Sequence, residues 1–473
     1  MSIEVATSIA RRVRESGGRA LVVGGWVRDR LLGLDPKDVD LEIYGLPAPT
    51  LRDVLGTVGP VDTVGESFTV FKVAGVDVSL PRRDSKTGRG HRGFDVAGDP
   101  SMTPAEAARR RDFTINAIAW DPLSGDYLDP SGGRRDLLER RTLRAVDPRT
   151  FSDDSLRVLR GIQFAARFDL TMDEGTREIC RRIPLDDLPA ERVWGELEKL
   201  LLLARRPSTG LRLAVELGVV ERLFPELAAL VDCPQEPEWH PEGDVWVHTL
   251  LVVDEARTRI GDLDHPQQVT VMLGALCHDV GKPVTTAVVE GRIRSLDHEQ
   301  AGVAPASSLL DRLNVHTMGG YDVRRQVLGI VAHHLKPNAF LKSGTPVGDG
   351  AYRRLAQKVD LELLARVAKS DCLGRTGDFD CTGIDRFLER ARALGVEHRA
   401  PEAVLMGRHL LDLGMTPGPR VGHVLRQVYE AQLDGRITSL DEALELARSI
   451  LSGAARSPGR SRLGVSGRDR RED

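Results

Sequence analysis

Aromatic residues make up only 4% of this 473-residue chain, and no window holds the roughly 18 uninterrupted apolar residues that a membrane-spanning helix needs. Scarce aromatic side chains argue against a purely RNA-binding protein, which would stack bases on such rings. The five cysteines are scattered without a CxxC pair, which predicts neither a disulfide framework nor a zinc ribbon. The first 18 residues lack the apolar core of a secretory signal, so we expect a cytoplasmic protein with no membrane partner.

Neither sign of charge dominates, because 66 Lys and Arg residues face 70 Asp and Glu residues and leave a formal net charge of −4. This balance excludes a wholly basic coat for nucleic acid, although local arginine clusters such as 109–111 and 205–206 can still form a groove. With 41% hydrophobic and 29% charged residues, the composition is that of an ordinary globular protein. The length predicts several domains.

The hydrophobic pattern changes along the chain and predicts an α+β fold. Short β-rich runs alternate with helical stretches up to about residue 146, whereas the pattern after residue 153 is helical. A proline-rich break follows residue 232. We therefore expect a mixed sheet-and-helix head (1–146), a helical neck and body (147–232), a His-rich helical domain (233–395), C-terminal helices (396–452) and a disordered tail (453–473).

A pair of glycines follows the first β-rich run. The segment from Ala20 reads as a strand, a turn at Gly24 and Gly25, and then a helix that carries Arg28. Backbone without side chains lets a phosphate approach closely, and the amide groups at the start of a helix favour an anion. Arg28 would add a permanently charged planar group. A double glycine alone is equally typical of a plain tight turn.

Two aspartates follow ten and twelve residues after this arginine. Residues two apart on a strand point to the same face, so Asp38 and Asp40 are predicted side by side, with Val39 and Leu41 in the core. Two carboxylates this close repel each other unless a cation lies between them. Alone, the pattern also fits a solvated strand face. Together with the glycine turn, it favours a magnesium site for attack at phosphorus.

Two further segments of the head carry polar candidates. Asp77 lies on a probable neighbouring strand, where it would either complete the metal site or stand on the surface. Arg111 can neutralise phosphate charge, and Asp112 and Asn116 can hydrogen-bond a sugar or orient Arg111. The alternative for this arginine-rich segment is the solvated start of a helix.

These motifs occur in an order that resembles the class II tRNA nucleotidyltransferases, the bacterial CCA-adding enzymes of the poly(A) polymerase superfamily. The resemblance runs from about Leu21 to Leu373. It rests on four segments: Gly24-Gly-Trp-Val-Arg28-Asp with Asp38-x-Asp40, Arg110-Arg-Asp-Phe-Thr-Ile-Asn116, Asp153-Asp-Ser-Leu-Arg157-Val-Leu-Arg160, and Glu191-Arg-Val-Trp-Gly-Glu196. The implied fold is a polymerase-β-like nucleotidyltransferase head followed by an all-α neck, body and further domain.

The resemblance implies template-independent addition of CMP, CMP and AMP, from CTP and ATP, to the 3′ acceptor end of tRNA by two-metal nucleotidyl transfer. Asp38 and Asp40 match the catalytic ligands of Mg²⁺, with Asp77 as a further candidate ligand. The matching nucleotide-binding positions are Gly24, Gly25, Arg28, Arg111, Asp112, Asn116, Asp154, Arg157 and Arg160. Asp154 and Arg157 match the base-selecting pair, and the acid before them is Asp153 where the family has Glu. Glu191, Arg192 and Glu196 are interpreted as supports for the neck arginines.

Histidines gather in the later helical region. The segment His278-Asp279-Val-Gly-Lys282 follows an apolar helix, with His248 before it and His298, His333, His334 and Asp371 after it. Such groups on separate helices can converge on a metal that activates water. A single histidine on a helix is usually structural, but the clustering here favours ligands.

This region resembles the HD phosphohydrolase domain that is fused to some bacterial tRNA nucleotidyltransferases. The resemblance implies metal-dependent phosphatase and phosphodiesterase activity, with Lys282 near the bound phosphate. His248, His278, Asp279 and Asp371 match the core ligands, and His298 and His333 match additional ones. Imidazole and carboxylate groups suit Ni, Mn, Fe or Zn, so the ligand types predict a divalent transition metal without selecting one.

Several activities share these motifs. Relatives in the superfamily add only CC, add only A, or make poly(A) tails. A mobile loop is expected over 81–100, long enough to reorganise between C and A addition, which favours the full activity. In a different reading, the HD region is the working hydrolase and the head only senses nucleotides; the intact acids and arginines of the head argue against it.

Overall fold

The computed structural model describes residues 2–36, 38–64, 70–86, 94–342 and 347–453. The chain forms two units, one of residues 1–333 and 369–379 and the other of residues 334–368 and 380–473. The finer division at residues 146, 232 and 395 stays a prediction, and the expected disordered tail lies outside the described residues from 454 onwards. Within the described part, no helix combines the length and the apolar character needed to traverse a bilayer.

The head is built on a seven-stranded sheet whose strand order is β3-β4-β5-β2-β1-β8-β9. The strands up to residue 128 are β1 (Arg19–Val23), β2 (Val39–Tyr44), β3 (Asp62–Val64), β4 (Val70–Val73), β5 (Val76–Ser79), β6 (Arg82–Lys86), β7 (Phe94–Gly98), β8 (Ala119–Trp120) and β9 (Tyr127–Leu128). Only β2 and β5 pair in parallel within this sheet. The predicted strand-turn-helix start and the strand at Val39 are therefore confirmed.

One face of the head sheet carries the larger part of the core, and the other carries a smaller cluster around Leu21 and Val23. The helices of the head are α1 (Ser2–Glu15), α2 (Gly25–Leu31), α3 (Ala48–Gly56), α4 (Pro104–Ala108) and α5 (Gly133–Arg135), with a 3-10 turn at Thr114–Asn116 and a π-helical turn at Asp136–Arg140. Val39, Leu41 and Ile43 alternate along β2 and pack in the core cluster that includes Leu51 and Leu55 of α3. Because side chains alternate across a strand, Asp40 and Glu42 face the other side.

The expected mobile loop over 81–100 is corrected in part. Strands β6 and β7 pair antiparallel, with Arg82 opposite Gly98, and form a separate hairpin. The polar, Gly-rich composition hid this pairing, because the β-propensity of such residues is low and ladder hydrogen bonds do not require apolar side chains. The connection at 87–93 lies outside the described residues.

After the head, the first unit is mostly helical. Its helices are α6 (Pro148–Phe151), α7 (Leu156–Phe168), α8 (Glu174–Arg182), α9 (Ala190–Leu203), α10 (Pro207–Glu216), α11 (Val219–Leu223), α12 (Pro225–Ala228), α13 (Val245–Arg257), α14 (His265–Cys277), α15 (Lys282–Thr285), α16 (His298–Ala301), α17 (Val303–Arg312) and α18 (Val323–His333). Helix α7 packs on α9 and α10, and α14 packs on α13 and α18. These packings position the two candidate sites.

The prediction of an all-α body is wrong in detail, because short strands interrupt it. They are β11 (Thr171–Met172), β12 (Thr286–Val289), β13 (Arg292–Ser295), β14 (Thr317–Met318) and β15 (Tyr321–Asp322). Strand β11 pairs with β10 (Thr142–Leu143), which belongs to the head. Glu290 and Gly291 join β12 to β13, and Gly319 and Gly320 join β14 to β15, all with positive φ. Two successive residues of positive φ are what a tight type I′ hairpin turn needs, so these turns form hairpins inside a helical segment.

The second unit contains the remaining helices, α19 (Lys336–Lys342), α20 (Asp349–Ala356), α21 (Leu361–Leu373), α22 (Thr382–Ala393), α23 (Gly407–Asp412), α24 (Pro419–Leu433) and α25 (Leu440–Gly453). The last turns of α21, from Lys369, belong to the first unit. The ring of Tyr352 stacks on that of Phe387, and Phe340 packs edge-to-face against both. Leu410, Val424 and Ala443 belong to a separate apolar cluster.

Candidate active sites

A cleft of about 660 Å³ lies within the first unit, between the polar face of the head sheet and helices α7 and α9. It is lined by the glycine turn, by acids of β2 and β5, and by arginines of the head and neck. The predicted residues that line it are Gly24, Gly25, Arg28, Asp40, Asp77, Arg111, Asp112, Asn116, Asp154, Arg157 and Arg160. Its size is in the range of small-molecule sites, which is about 300–1,000 Å³.

The glycine turn faces the first acid of the cleft. Gly24 has φ 75°, a conformation that costs glycine little. A Cβ placed on Gly24 would lie 3.4 Å from Nη1 of Arg111 and 3.6 Å from Oδ2 of Asp40. The absence of a side chain therefore keeps open the space between an arginine, a carboxylate and the turn.

Two carboxylates, those of Asp40 and Asp77, line this space, and the charge of Asp38 acts on Asp40 from nearby. Asp40 lies on β2 directly beside Asp77 of β5, while Asp38 is exposed just before β2 begins, so the expectation that both acids share one strand is corrected. The pKa of Asp40 is raised by partial burial and by the charges of Asp77 and Asp38, and Arg111 opposes this rise. Asp77 also forms an ion pair with Lys72, 3.1 Å apart. Mutual repulsion among carboxylates is what a hard divalent cation relieves, so the donor set fits Mg²⁺.

A buried hydrogen-bond chain joins the glycine turn to the neck. Nη1 of Arg28 donates to Oδ1 of Asn116 (2.8 Å), and Nδ2 of Asn116 donates to Oδ1 of Asp112 (2.9 Å). Oδ2 of Asp112 accepts from Nε of Arg160 on α7 (2.8 Å). Asp112 and Asn116 thus orient Arg28 and Arg160; their expected action on Arg111 is not what the contacts support. Arg28 also lies over the ring of Phe168, 4.3 Å from its centroid.

The predicted base-selecting pair reaches the cleft with partners of its own. Asp154 accepts two hydrogen bonds from Arg192 of α9, at 3.2 and 2.9 Å. Arg157 donates to the carbonyl oxygens of Thr150 and Arg110, both at 2.8 Å. Arg192 therefore supports the neck aspartate, whereas we had expected it to support the arginines. Glu196 pairs with Lys199, 2.8 Å apart, and Glu191 is exposed.

Several cleft residues were missed by the sequence reasoning. Glu42 lies two positions after Asp40 on the same strand face, 3.7 Å from Nη2 of Arg111. Burial and the nearby Arg82 lower the pKa of Arg110 to about 10, which reflects the concentration of positive charge in the cleft. The alternation of β2 was the available signal for Glu42. The positive charge of the cleft arginines attracts an anion such as a triphosphate.

A second polar cluster lies farther along the first unit, on α13, at the end of α14 and on the last turns of α21. The candidate ligand atoms of His248, His278 and Asp371 lie within 4.8 Å of one another, and all three residues are buried. Nε2 of His248 is 3.1 Å from Oδ1 of Asp371. Nε2 of His278 is 3.2 Å from Oδ2 of Asp279. Histidines and carboxylates thus meet in one buried space.

In three histidines of this cluster, Nδ1 lies within hydrogen-bond distance of an acceptor oxygen. Nδ1 of His248 is 2.8 Å from Oε1 of Glu242, Nδ1 of His278 is 2.8 Å from the Ala275 carbonyl oxygen, and Nδ1 of His298 is 2.8 Å from that of Ser295. Donation from Nδ1 leaves Nε2 as the lone-pair nitrogen, which is the pattern of metal-binding histidines. The donor set therefore fits a divalent transition metal.

The remaining predicted residues of this cluster differ in position. Nε2 of His298 is 3.3 Å from Oδ1 of Asp279, and Nζ of Lys282 is 2.7 Å from Oδ2 of Asp279. A Cβ on Gly281 would lie 2.0 Å from the carbonyl oxygen of His298, so only glycine permits this approach. His333 is half-buried at the end of α18 and, within the described part of the chain, joins no group of three ligand atoms. Its role as a ligand stays a prediction.

Two parts of the first unit are similar to known domain families. Residues 20–144 match the poly(A) polymerase head domain, and residues 169–230 match the probable RNA- and SrmB-binding site of polymerase A. Together with the relatives that follow, these matches indicate the superfamily of class II CCA-adding enzymes and poly(A) polymerases. The multifunctional CCA protein of Xanthomonas campestris pv. campestris (strain B100) is 36% identical over 443 residues, which cover 90% of this chain and 98% of that protein. The chain belongs to the family of multifunctional CCA proteins.

Other relatives agree. The multifunctional CCA protein of Stenotrophomonas maltophilia (strain K279a) is 41% identical over 303 residues, which cover 62% of this chain and 71% of that protein. The CCA-adding enzyme of Bacillus stearothermophilus, solved in complex with CTP, aligns with a TM-score of 0.63 at 21% identity and covers 96% of this chain and 99% of that one. The Thermotoga maritima CCA-adding enzyme complexed with tRNA aligns with a TM-score of 0.56 at 20% identity, covering 95% of each chain. These structures share the fold.

Proposed function

We propose that this protein is a CCA-adding tRNA nucleotidyltransferase, which attaches CMP, CMP and AMP from CTP and ATP to the 3′ end of tRNA. The observation that carries the proposal is a single cleft. It contains the carboxylates of Asp40 and Asp77 and the glycine turn needed at the triphosphate, together with an aspartate just before α7 and an arginine on α7 that can read a base. The names of the relatives, and the CTP and tRNA in the solved neighbours, support the same reaction.

The acids of the cleft would hold Mg²⁺, with Asp38 and Asp40 as ligands and Asp77 beside them. Bound in a two-metal site, the metal would supply activation of the RNA 3′-hydroxyl and charge neutralisation in in-line transfer. Arg111 and Arg28 would bind the triphosphate at the glycine turn. Gly24 lets the phosphates approach the backbone without steric conflict. Pyrophosphate would leave along this arginine-lined wall.

Base choice follows from the neck residues. The carboxylate of Asp154 can accept from the exocyclic amine that cytosine and adenine share, and the guanidinium of Arg157 can donate to a ring acceptor. Guanine and uracil present a carbonyl where the aspartate requires a donor. Arg192 and the two carbonyl partners of Arg157 hold both side chains in one orientation, which supports discrimination without a template.

The test uses tRNA that ends before CCA, with CTP, ATP, UTP and GTP offered separately and together, and reads the products on a sequencing gel. We expect CC with CTP alone and CCA with CTP and ATP. Addition of C only, A only or a poly(A) tail would assign the protein to a different activity of the superfamily. Asp40→Asn should abolish extension, whereas Asp62→Asn, an exposed acid on the edge strand β3, should not. Extension by Asp40→Asn at the normal rate would contradict the proposal.

We also propose that the second cluster is a metal-dependent phosphohydrolase site of the HD type. The buried convergence of His248, His278, Asp279 and Asp371 supports it, with His298 as a further ligand. A divalent transition metal there would supply an activated water. Lys282 would balance phosphate charge; it is buried between Asp279 and Gln235, 2.7 Å from each.

The hydrolase test measures release from a cyclic nucleotide and from a phosphate monoester, with Ni²⁺, Mn²⁺, Fe²⁺ or Zn²⁺ added. Asp371→Ala should remove hydrolysis and leave CCA addition intact. Persistent hydrolysis in Asp371→Ala would place the activity elsewhere. Absence of hydrolysis in the wild-type protein with every metal would overturn the proposal for both substrate types.

A further inference from the structure

We propose that Glu242 is a positioning residue for the second site, which sets the tautomer and the orientation of His248 so that this histidine can bind a metal. The inference rests on the proposed phosphohydrolase site and adds to it a residue that lies outside the His and Asp ligand set. Glu242 precedes α13 in the proline-rich segment, and its side chain is 1% exposed. A carboxylate this buried requires partners that satisfy its charge.

The contacts of Glu242 supply those partners. Oε1 of Glu242 accepts from Nδ1 of His248 at 2.8 Å and from Nδ1 of His240 at 2.9 Å. Oε2 accepts from the backbone amide of Thr376 at 3.3 Å. Thr376 follows Asp371 by five residues, so this one carboxylate joins α13 to the segment that carries another ligand.

The tautomer of His248 follows from this arrangement. A carboxylate can only accept, so Nδ1 of His248 must carry the proton and Nε2 must present its lone pair. Nε2 lies 3.1 Å from Oδ1 of Asp371 and 3.9 Å from Oδ2 of Asp279. The nitrogen available to a metal is therefore the one that faces both acids.

Glu242 also differs from the acceptors of the other ligand histidines. His278 and His298 donate to backbone carbonyls three residues away, which the local fold provides whatever the side chains are. The acceptor for His248 is a side chain, so it can be removed by substitution. Carboxylate acceptors of this kind raise ligand basicity, and their loss typically weakens metal binding about 10–100-fold.

The substitution Glu242→Gln is the sharpest test. The amide has one acceptor oxygen and a donor nitrogen in place of two acceptor oxygens, so it cannot serve His240, His248 and the Thr376 amide as the carboxylate does. Glu238→Gln is the matched control, because it changes the same residue type in the same segment. Glu238 is 56% exposed and forms an ion pair with Arg292.

The measurement is calorimetric titration of the full-length protein with Ni²⁺ in excess Mg²⁺, which occupies the carboxylates of the head. We expect Kd to rise about 10–100-fold in Glu242→Gln and to stay unchanged in Glu238→Gln. The visible spectrum of bound Co²⁺ should also change in Glu242→Gln, since Nδ1 of His248 then donates to a neutral amide oxygen in place of a carboxylate, which lowers the basicity of the ligand nitrogen. CCA addition and the Tm of the metal-free protein should match the control, which separates positioning of a ligand from general destabilisation.

Each outcome has one meaning. If Glu242→Gln binds Ni²⁺ as tightly as the control with the same Co²⁺ spectrum, the inference about Glu242 is wrong. If the wild-type protein binds Ni²⁺ no better than Asp371→Ala does, the proposed metal site itself fails. If Tm of the metal-free protein falls in Glu242→Gln while the Co²⁺ spectrum is unchanged, Glu242 has only a structural role, and the inference is overturned.

Discussion

The two candidate sites of this protein are built in different ways. The head cleft is open and rich in arginine, and its key contacts, such as Arg28 to Asn116 and Arg160 to Asp112, join residues 88 and 48 positions apart. The second site is buried and rich in histidine. There, Nδ1 of His278 and Nδ1 of His298 form hydrogen bonds with backbone carbonyl oxygens only three residues away. An open cleft suits a large polyanion that must enter and leave, whereas a buried cluster suits a small ion.

The largest expected effect separates the two sites completely. Asp40→Asn removes a charged ligand from the cleft and should lower the rate of nucleotide addition about 10³-fold or more, because charge stabilisation at the reacting phosphate is the main contribution to such catalysis. Ni²⁺ binding should stay unchanged. The checks are single-turnover extension of truncated tRNA and calorimetry. A parallel loss of Ni²⁺ binding would mean that the sites are not independent.

A smaller effect is expected at the base-selecting pair. Arg192→Lys keeps the charge beside Asp154 but replaces two parallel hydrogen bonds by a point contact. Because small misplacement of an orienting group is costly, we expect the preference for CTP over UTP, as kcat/KM, to fall about 10-fold or more. Arg177→Lys, which alters a partly exposed pair with Glu216, is the control. An unchanged preference would indicate that Arg192 only supports the fold.

The buried hydrogen-bond chain between the head and the neck should contribute measurably to the free energy of unfolding. Asp112→Asn leaves Arg160 without the carboxylate that it contacts at 2.7 Å, and should lower the free energy of unfolding by about 2 kcal/mol, as for hydrogen bonds to charged groups. Glu216→Gln should cost less than about 1 kcal/mol, since exposed ion pairs contribute little. Urea unfolding, followed through the transition of the first unit, measures both effects. Equal effects would remove the distinction drawn between the buried chain and the surface pairs.

The smallest effect tests whether the second site depends on its hairpin. Gly291 has φ 75° in the turn between β12 and β13, so Gly291→Ala should cost about 1 kcal/mol of stability. A Cβ added to Gly195 on α9 would meet no atom within 4 Å, so Gly195→Ala should be neutral or slightly stabilising. Thermal unfolding compares the two variants. Weaker Ni²⁺ binding in Gly291→Ala would show that the hairpin contributes to the metal site.

Local pattern explains how much of the fold was predictable. The strand before Gly24, the alternation of Val39, Leu41 and Ile43, and the helical period after residue 153 all follow from side-chain periodicity, and the structure confirms them. The sequence predicts a loop where the β6–β7 hairpin forms, because backbone pairing does not require an apolar alternation. The sequence analysis does not predict the hairpins at Glu290–Gly291 and Gly319–Gly320, because their main signal is a turn conformation and not a hydrophobic pattern.

The amino-acid sequence alone specifies which chemical groups are present, such as the glycine turn before Arg28 and the pair His278 and Asp279. It also predicts that Asp40 lies on the face of its strand opposite Val39 and Leu41, as the structure shows. Periodicity is enough for that, because neighbours along a strand or helix have fixed relative directions. Packing of separate elements, by contrast, sets the hydrogen-bond partners. Arg28 donates to Asn116, Arg160 donates to Asp112, Arg192 donates to Asp154, and His248 donates to Glu242. Those partners lie on separately packed elements, and a hydrogen bond forms only where packing brings donor and acceptor within about 3 Å.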